Sequence, residues 1–289
     1  MKKINPPAIS VKEVLSACSF DLQSCDTSLS NSFADQDVIK ILSFAESIYR
    51  KKAMHGDLFT LRPNHNNVAK KLSIEDMKKA YKSLTKPKTK GKEIYDRIKL
   101  ADQSQICPFC GHRNIVYIDH FLPKSRYPHF SITPINLVPI CYECNSRAGK
   151  GSLYPTSDDS QFLHPYFDDF DDDVWLKASV KNSFPLTISY FTRKPLSWND
   201  IKYKRIVYHF TKLRLNELYS SNATRELFNR KTTIHKIFEA SGENGLVDFF
   251  RQEGTERRES EKNSWQAALY EGLSESTFFC HNALDLMQQ

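Results

Sequence analysis

Cys107 and Cys110 stand three positions apart, as do Cys141 and Cys144; between the pairs lie Asp119-His120 and Asn136, and Asn145 directly follows the second. Each Cys-x-x-Cys turn can place two sulfurs on one ion, so the two together can close a tetrahedral zinc site. A carboxylate, an imidazole and two amides sit inside or against that frame. This is the set of groups that metal-assisted hydrolysis of a phosphodiester needs. A carboxylate suits a hard divalent cation. An unperturbed imidazole titrates near neutrality and can take a proton from water.

The stretch between the pairs is longer than a compact zinc ribbon requires, which implies a second task for it. A purely structural zinc module is the plainer alternative, and for the four cysteines themselves a structural role is expected. His112 could replace one sulfur, although four cysteines leave it redundant. Cys18, Cys25 and Cys280 bring the total to seven. A secreted disulfide scaffold would be shorter and denser in cysteine, so these three are expected to be small buried residues.

Three motifs occur in order: Asp119-His120 with Pro123 close behind, Asn136 before the apolar run Leu137-Val138-Pro139, and Cys144-Asn145. Together they resemble the HNH endonucleases, the ββα-metal nuclease family, over about residues 107–151. The resemblance implies that His120 is the general base for attack of water on phosphorus. It implies that Asp119 and the Asn145 carbonyl oxygen hold one catalytic Mg²⁺ or Mn²⁺, Asn145 standing where many members carry histidine. Asn136 would brace the loop and orient His120, and Lys124, Arg147 and Lys150 would grip flanking DNA phosphates. Similar stand-alone HNH proteins include the Septu-type nuclease subunits of bacterial antiphage defence, which pair with an ATPase. The implied function is therefore a DNA endonuclease, an antiphage effector whose partner is an ATPase or another defence subunit. The alternative is a zinc-stabilised nucleic-acid-binding subunit that does not cleave.

The elements that must position these residues follow from pattern. Ile115–Ile118 reads as a strand delivering Asp119 and His120, Leu137–Ile140 as a second delivering Cys141, and 145–149 as a short helix. Val38, Leu42, Ala45 and Tyr49 mark a helix after Asp35. Ser73, with Asp76 three residues on, caps another that carries Ile74, Met77, Tyr81 and Leu84. Residues 1–34 read as an irregular lead-in, and Thr85–Lys92 as a loop. Strands are expected around Pro185. Beyond them come helices capped at Asn199, broken at Ser241-Gly242 and ending with one from Ser264 to Leu273, their aromatics forming core. The fold class is thus α+β and mostly helical, in three regions: 1–105, a ββα-metal core at 106–152, and 153–289.

A net charge of +7 over 289 residues suits a nucleic-acid partner without requiring one. Between Lys78 and Lys99 nine basic residues face two acids. That stripe could track phosphates or be a solvated face. Asp168–Asp173 reads as an exposed acidic loop. No apolar run is long enough to cross a bilayer and none follows Met1, so no membrane association is expected and the cytoplasm is the expected location.

Overall fold

The computed structural model describes residues 1–64, 67–147 and 155–286. They form an α+β, mostly helical protein in two compact units, Met1–Asp169 and Phe170–Gln289.

In the first unit, α1 (Val11–Leu22), α2 (Thr27–Ala34) and α3 (Gln36–Met54) are capped by Ser10, Asp26 and Asp35, whose side chains accept backbone N–H groups of the first turns. The expectation of an irregular lead-in is therefore corrected. The polar residues that read as loop are helix caps, and they punctuate two short amphipathic helices. Val11, Val14, Leu15, Cys18, Leu29 and Phe33 are buried with Val38 and Leu42 in one core. α4 (Ile74–Thr85) opens with the reciprocal Ser73–Asp76 capping box. α5 (Lys90–Lys99) begins inside the expected loop, and Asp21 explains why. Its carboxylate accepts the N–H groups of Lys90 and Gly91, both at 2.8 Å, and so adds a distant cap to the local one, in which the Thr89 hydroxyl oxygen accepts the Lys92 N–H at 3.1 Å. A Cβ on Gly91 would meet the Leu84 backbone at 3.1 Å, so glycine permits the α4–α5 approach.

The basic stripe on these helices is largely paired within the unit: Lys78 with Glu75, Lys79 with Asp26, Lys90 with Glu93, Lys92 with Asp96 and Arg97 with Glu13. Five of its nine basic side chains are thus paired on the surface. Such exposed pairs add little stability.

The chain then forms β1 (Tyr117–His120), β2 (Leu137–Ile140) and α6 (Tyr142–Arg147). The strands are antiparallel, with Tyr117 opposite Ile140 and His120 opposite Leu137. α6 starts three residues earlier than its polar composition suggested. Its first turn is built on the second cysteine pair, a constraint that helix propensity does not report. Ile118, Ile132 and Leu137 belong to the core of α1–α5, and Leu122, Tyr127, Phe130 and Ile135 pack with Tyr49 and Ala53 of α3. The cysteine-bounded segment and the N-terminal helices share one unit.

In the second unit, β3 (Leu176–Lys181) and β4 (Thr187–Thr192) form an antiparallel hairpin. α7 (Asp200–Lys212) follows, capped by Asn199 as expected. α8 (Leu215–Ser260) is interrupted at the expected place, Gly242, whose φ of 62° and ψ of −157° are cheap for glycine alone. α9 (Trp265–Ser274), α10 (Thr277–His281) and α11 (Ala283–Leu286) complete it. Trp175, Tyr219, Phe250, Tyr270 and Phe279 are fully buried core, not stacking platforms. The acidic run is more than an exposed loop, because its carboxylates serve as anchors. Asp172 accepts the Trp198 indole N–H at 3.1 Å, and Asp173 accepts the Ser197 hydroxyl at 2.7 Å. Among the described residues no helix is long and apolar enough to cross a membrane.

Because Leu15 is fully buried, Leu15→Ala is expected to destabilise the first unit by about 2–5 kcal/mol. Urea unfolding followed by far-ultraviolet circular dichroism measures this, since the tryptophans (175, 198 and 265) all lie in the second unit. A change below about 0.5 kcal/mol, typical of surface sites, would remove α1 from the core.

Candidate metal centre and the Asp119–His120 site

Four buried sulfurs close the open end of the β1–β2 ribbon. The first knuckle is a tight turn before β1: Gly111 donates its N–H to the Cys107 carbonyl at 2.8 Å, and Cys107 donates to the Arg113 carbonyl at 2.7 Å. Gly111 has φ +58°, and a Cβ there would lie 2.5 Å from the Met1 nitrogen, so the position admits only glycine. The second knuckle is the first turn of α6. In each, a backbone N–H points at sulfur: Arg113 to Cys110 and Cys144 to Cys141, both at 3.4 Å. All four Sγ atoms lie within 4.8 Å of one another.

Burial raises all four thiols, while hydrogen bonding among them raises some and lowers others. Burial holds Cys107 well above the ordinary thiol range, and hydrogen bonding to Cys107 raises Cys144. The same bonding to Cys107 draws Cys110 and Cys141 down. Four thiolates could not share so small a buried volume without a cation between them. A soft, tetrahedral, all-sulfur donor set suits zinc, so this cluster can hold such a metal. His112 is not part of it.

At the far end of the ribbon, β1 ends on Asp119-His120. A carbonyl can only accept, so the 2.8 Å contact between His120 Nε2 and the Ser131 carbonyl makes Nε2 the protonated nitrogen. In the neutral ring Nδ1 then carries the lone pair. Nδ1 lies 3.5 Å from Asp119 Oδ1. The His120 side chain is 3% exposed and that of Asp119 27%, so solvent meets the pair at the carboxylate.

Asn136 is fully buried and ties down the loop between the strands. Its Oδ1 accepts the Leu122 N–H at 2.7 Å, while Nδ2 donates to the Leu122 and Phe130 carbonyls at 3.1 and 3.0 Å. Its own carbonyl accepts the Phe121 N–H at 2.8 Å. Phe130 immediately precedes Ser131, so Asn136 fixes the peptide whose neighbour orients His120.

Asp119, His120 and Asn136 thus gather at one end of the ribbon. Asn145 lies in α6, 5% exposed, donating its backbone N–H to the Cys141 carbonyl at 3.1 Å. The Lys124 ammonium sits 4.0 Å over the Tyr81 ring, and Arg147 ends α6 partly exposed. Lys150 lies outside the described residues. Three neighbours of the site were not singled out for it from the sequence. Tyr81 and Tyr95 carry only a helix-face signal, and Ser131 acts through its carbonyl, which no side-chain pattern reveals. His164, unassigned from sequence, is buried. Its Nδ1 accepts the Tyr166 N–H at 3.3 Å and its Nε2 meets the Tyr49 hydroxyl at 3.0 Å, so it is a structural wedge.

No family model and no solved structure matches this chain. The chain is similar to protein ea31 of Escherichia phage lambda, 28% identical over 297 residues. The alignment covers 96% of this chain and 99% of that protein, so the likeness runs through both structural units.

Purified protein is expected to carry about one zinc per chain, and Cys110→Ser or Cys141→Ser to lose it with a large fall in thermal stability. Elemental analysis with thermal unfolding reads both quantities. Full stability in a zinc-free Cys110→Ser protein would deny the cluster a metal-holding role. Asn136→Ala strands two backbone carbonyls and one N–H, and is expected to cost on the order of 2 kcal/mol or more in urea unfolding.

Proposed function

We propose that the protein is a metal-dependent endonuclease of the HNH, ββα-metal type that hydrolyses phosphodiester bonds in DNA. The observation that carries this reading is the state of His120. The Ser131 carbonyl holds its Nε2 as a donor, which leaves Nδ1 as the basic nitrogen beside the Asp119 carboxylate. An imidazole with its tautomer set by a backbone carbonyl is oriented to take a proton from water. The β–β–α order, with the sulfur cluster at one end and Asn136 at the other, supports the same reading.

Asp119 offers a partly exposed hard oxygen for a Mg²⁺ or Mn²⁺ ion, with the Asn145 amide oxygen as the second donor that the resemblance implies. When bound there, such an ion would offset negative charge on the phosphate. The residues supply the rest. His120 accepts the proton of the attacking water, and Asn136 keeps the Ser131 carbonyl in place behind it. Lys124 and Arg147 neutralise flanking phosphates. The second unit contains none of these residues. That supports a division of labour in which Phe170–Gln289 engages a partner subunit, an ATPase of a defence system being the one the resemblance implies.

One observation favours a second reading, a zinc-stabilised nucleic-acid-binding subunit without cleavage: the His120 ring is almost fully covered. Plasmid DNA incubated with the protein and Mg²⁺ separates the two. The wild type is expected to cleave, His120→Ala to lose about 10²–10⁴-fold in rate, and Asp119→Ala and Asn145→Ala to lose activity in a manner partly rescued by raised Mn²⁺. Binding without cleavage by wild type and His120→Ala alike would establish the second reading. Equal cleavage by both would remove His120 from the chemistry.

A further inference from the structure

Ile118, one residue before Asp119, stands opposite Pro139 in the ribbon. Ile118 and Pro139 form a non-hydrogen-bonded pair of the antiparallel ladder, so the backbone groups of Ile118 point away from β2, towards helices α4 and α5, and a proline opposite it costs the ladder no bond. Two tyrosines meet them there. The Tyr81 hydroxyl donates to the Ile118 carbonyl at 3.0 Å, and the Ile118 N–H donates to the Tyr95 hydroxyl at 3.0 Å. The free edge of β1 is therefore closed by side chains of the N-terminal helices.

Tyr81 does more than close the edge. Its ring centroid lies 4.3 Å from that of His120, the planes tilted by 56°. The Lys124 ammonium is 4.0 Å from the same ring. One side chain thus touches the strand backbone, the imidazole at the strand's end and the lysine that follows it. Its neighbours in α4, Met77, Ala80 and Leu84, are buried core, so the ring rests on a fixed support. Tyr95 accepts the Ile118 N–H and carries Lys92 5.1 Å over its ring.

We propose that Tyr81 is a positioning residue for the candidate site, setting the plane of the His120 ring and holding the Lys124 ammonium beside it. The proposal rests on the nuclease reading for its kinetic consequence and on geometry alone for its structural one. Burial, and after it the charge of Asp119, pushes the Tyr81 hydroxyl far above the ordinary phenol range, so it stays a donor to Ile118. The imidazole is then bounded twice, by the Ser131 carbonyl at Nε2 and by an aromatic face along the ring. A general base displaced by an ångström can lose orders of magnitude in rate, so the second boundary matters for chemistry as well as stability.

The test compares Tyr81→Leu, Tyr81→Phe and Tyr95→Phe with wild type in the full-length zinc-loaded protein. One arm is steady-state plasmid cleavage. The other is nitrogen NMR of the histidine rings, with His120→Ala used to assign the His120 signals. Tyr81→Leu is expected to lower kcat about a hundredfold while KM stays within about twofold. In the spectrum it is expected to replace the single Nε2-protonated signature of His120 by an averaged one. Tyr81→Phe keeps the ring but loses the bond to Ile118, so a loss of about five- to tenfold in kcat with the tautomer retained is expected. Tyr95→Phe should weaken stability and leave the His120 signature unchanged.

Retention of both kcat and the His120 signature in Tyr81→Leu overturns the proposal, as does a loss confined to KM. If Tyr81→Leu does not fold, full wild-type kcat in Tyr81→Phe overturns it instead. If the wild type itself does not cleave, the nuclease reading fails, and the NMR arm alone decides whether Tyr81 orders His120.

Discussion

Four buried sulfurs joining residues far apart in sequence are the constraint on which the site depends. β1 and β2 are four residues each, and a two-stranded ribbon of that size does not hold itself together in water. Clustering Cys107, Cys110, Cys141 and Cys144 fixes the ends of the two strands on one side. A divalent cation there would turn four mutually repelling buried groups into a closed tetrahedron. The binding free energy of the metal would then become folding free energy for the segment.

What the sulfurs do at one end, Asn136 does at the other, with three side-chain hydrogen bonds that pin the loop under His120. The long edges are held differently. One side of the ribbon buries Ile118 and Leu137 in the helical core, and the loop after β1 buries Leu122 and Phe130 against α3. The histidine is therefore fixed by packing, by one carbonyl and by one aromatic ring, none of them a metal ligand. An imidazole so confined has few orientations open to it. Its near-complete cover follows from the same packing.

The N-terminal helices are part of this arrangement and not an appendage to it. Tyr81 and Tyr95 supply the hydrogen bonds that a third strand would otherwise provide to β1. A buried backbone N–H or carbonyl without a partner is costly, so the outward-facing groups of Ile118 on the free edge of β1 need such side chains. Five of the nine basic residues between Lys78 and Lys99 pair with acids of the same or adjoining helices.

Much was legible in the chain itself. Thiol spacing announced the four-sulfur cluster, because ligand geometry is encoded in side-chain type and short separations. Short β-prone apolar runs marked β1 and β2, and the Ser73–Asp76 box marked the start of α4, because these signals are local. The break at Gly242 was visible for the same reason, since only glycine takes its backbone angles cheaply. The helices at 11–34 were not legible. Their caps are the polar residues that, without a core to bury the other face, describe a loop equally well. The start of α5 was read as loop because Asp21, far away in sequence, joins Thr89 in capping it among residues that otherwise look like breakers, and α6 was placed late because its first turn is a cysteine knuckle. The neighbours of His120 lay furthest from reach. A carbonyl at Ser131 carries no side-chain signature, and a tyrosine on a buried helix face looks like core until the strand it touches is in place. Residue types and spacing thus determined which groups could act. Only the tertiary structure decided how His120 is turned, because its orientation comes from contacts between segments that no local pattern links.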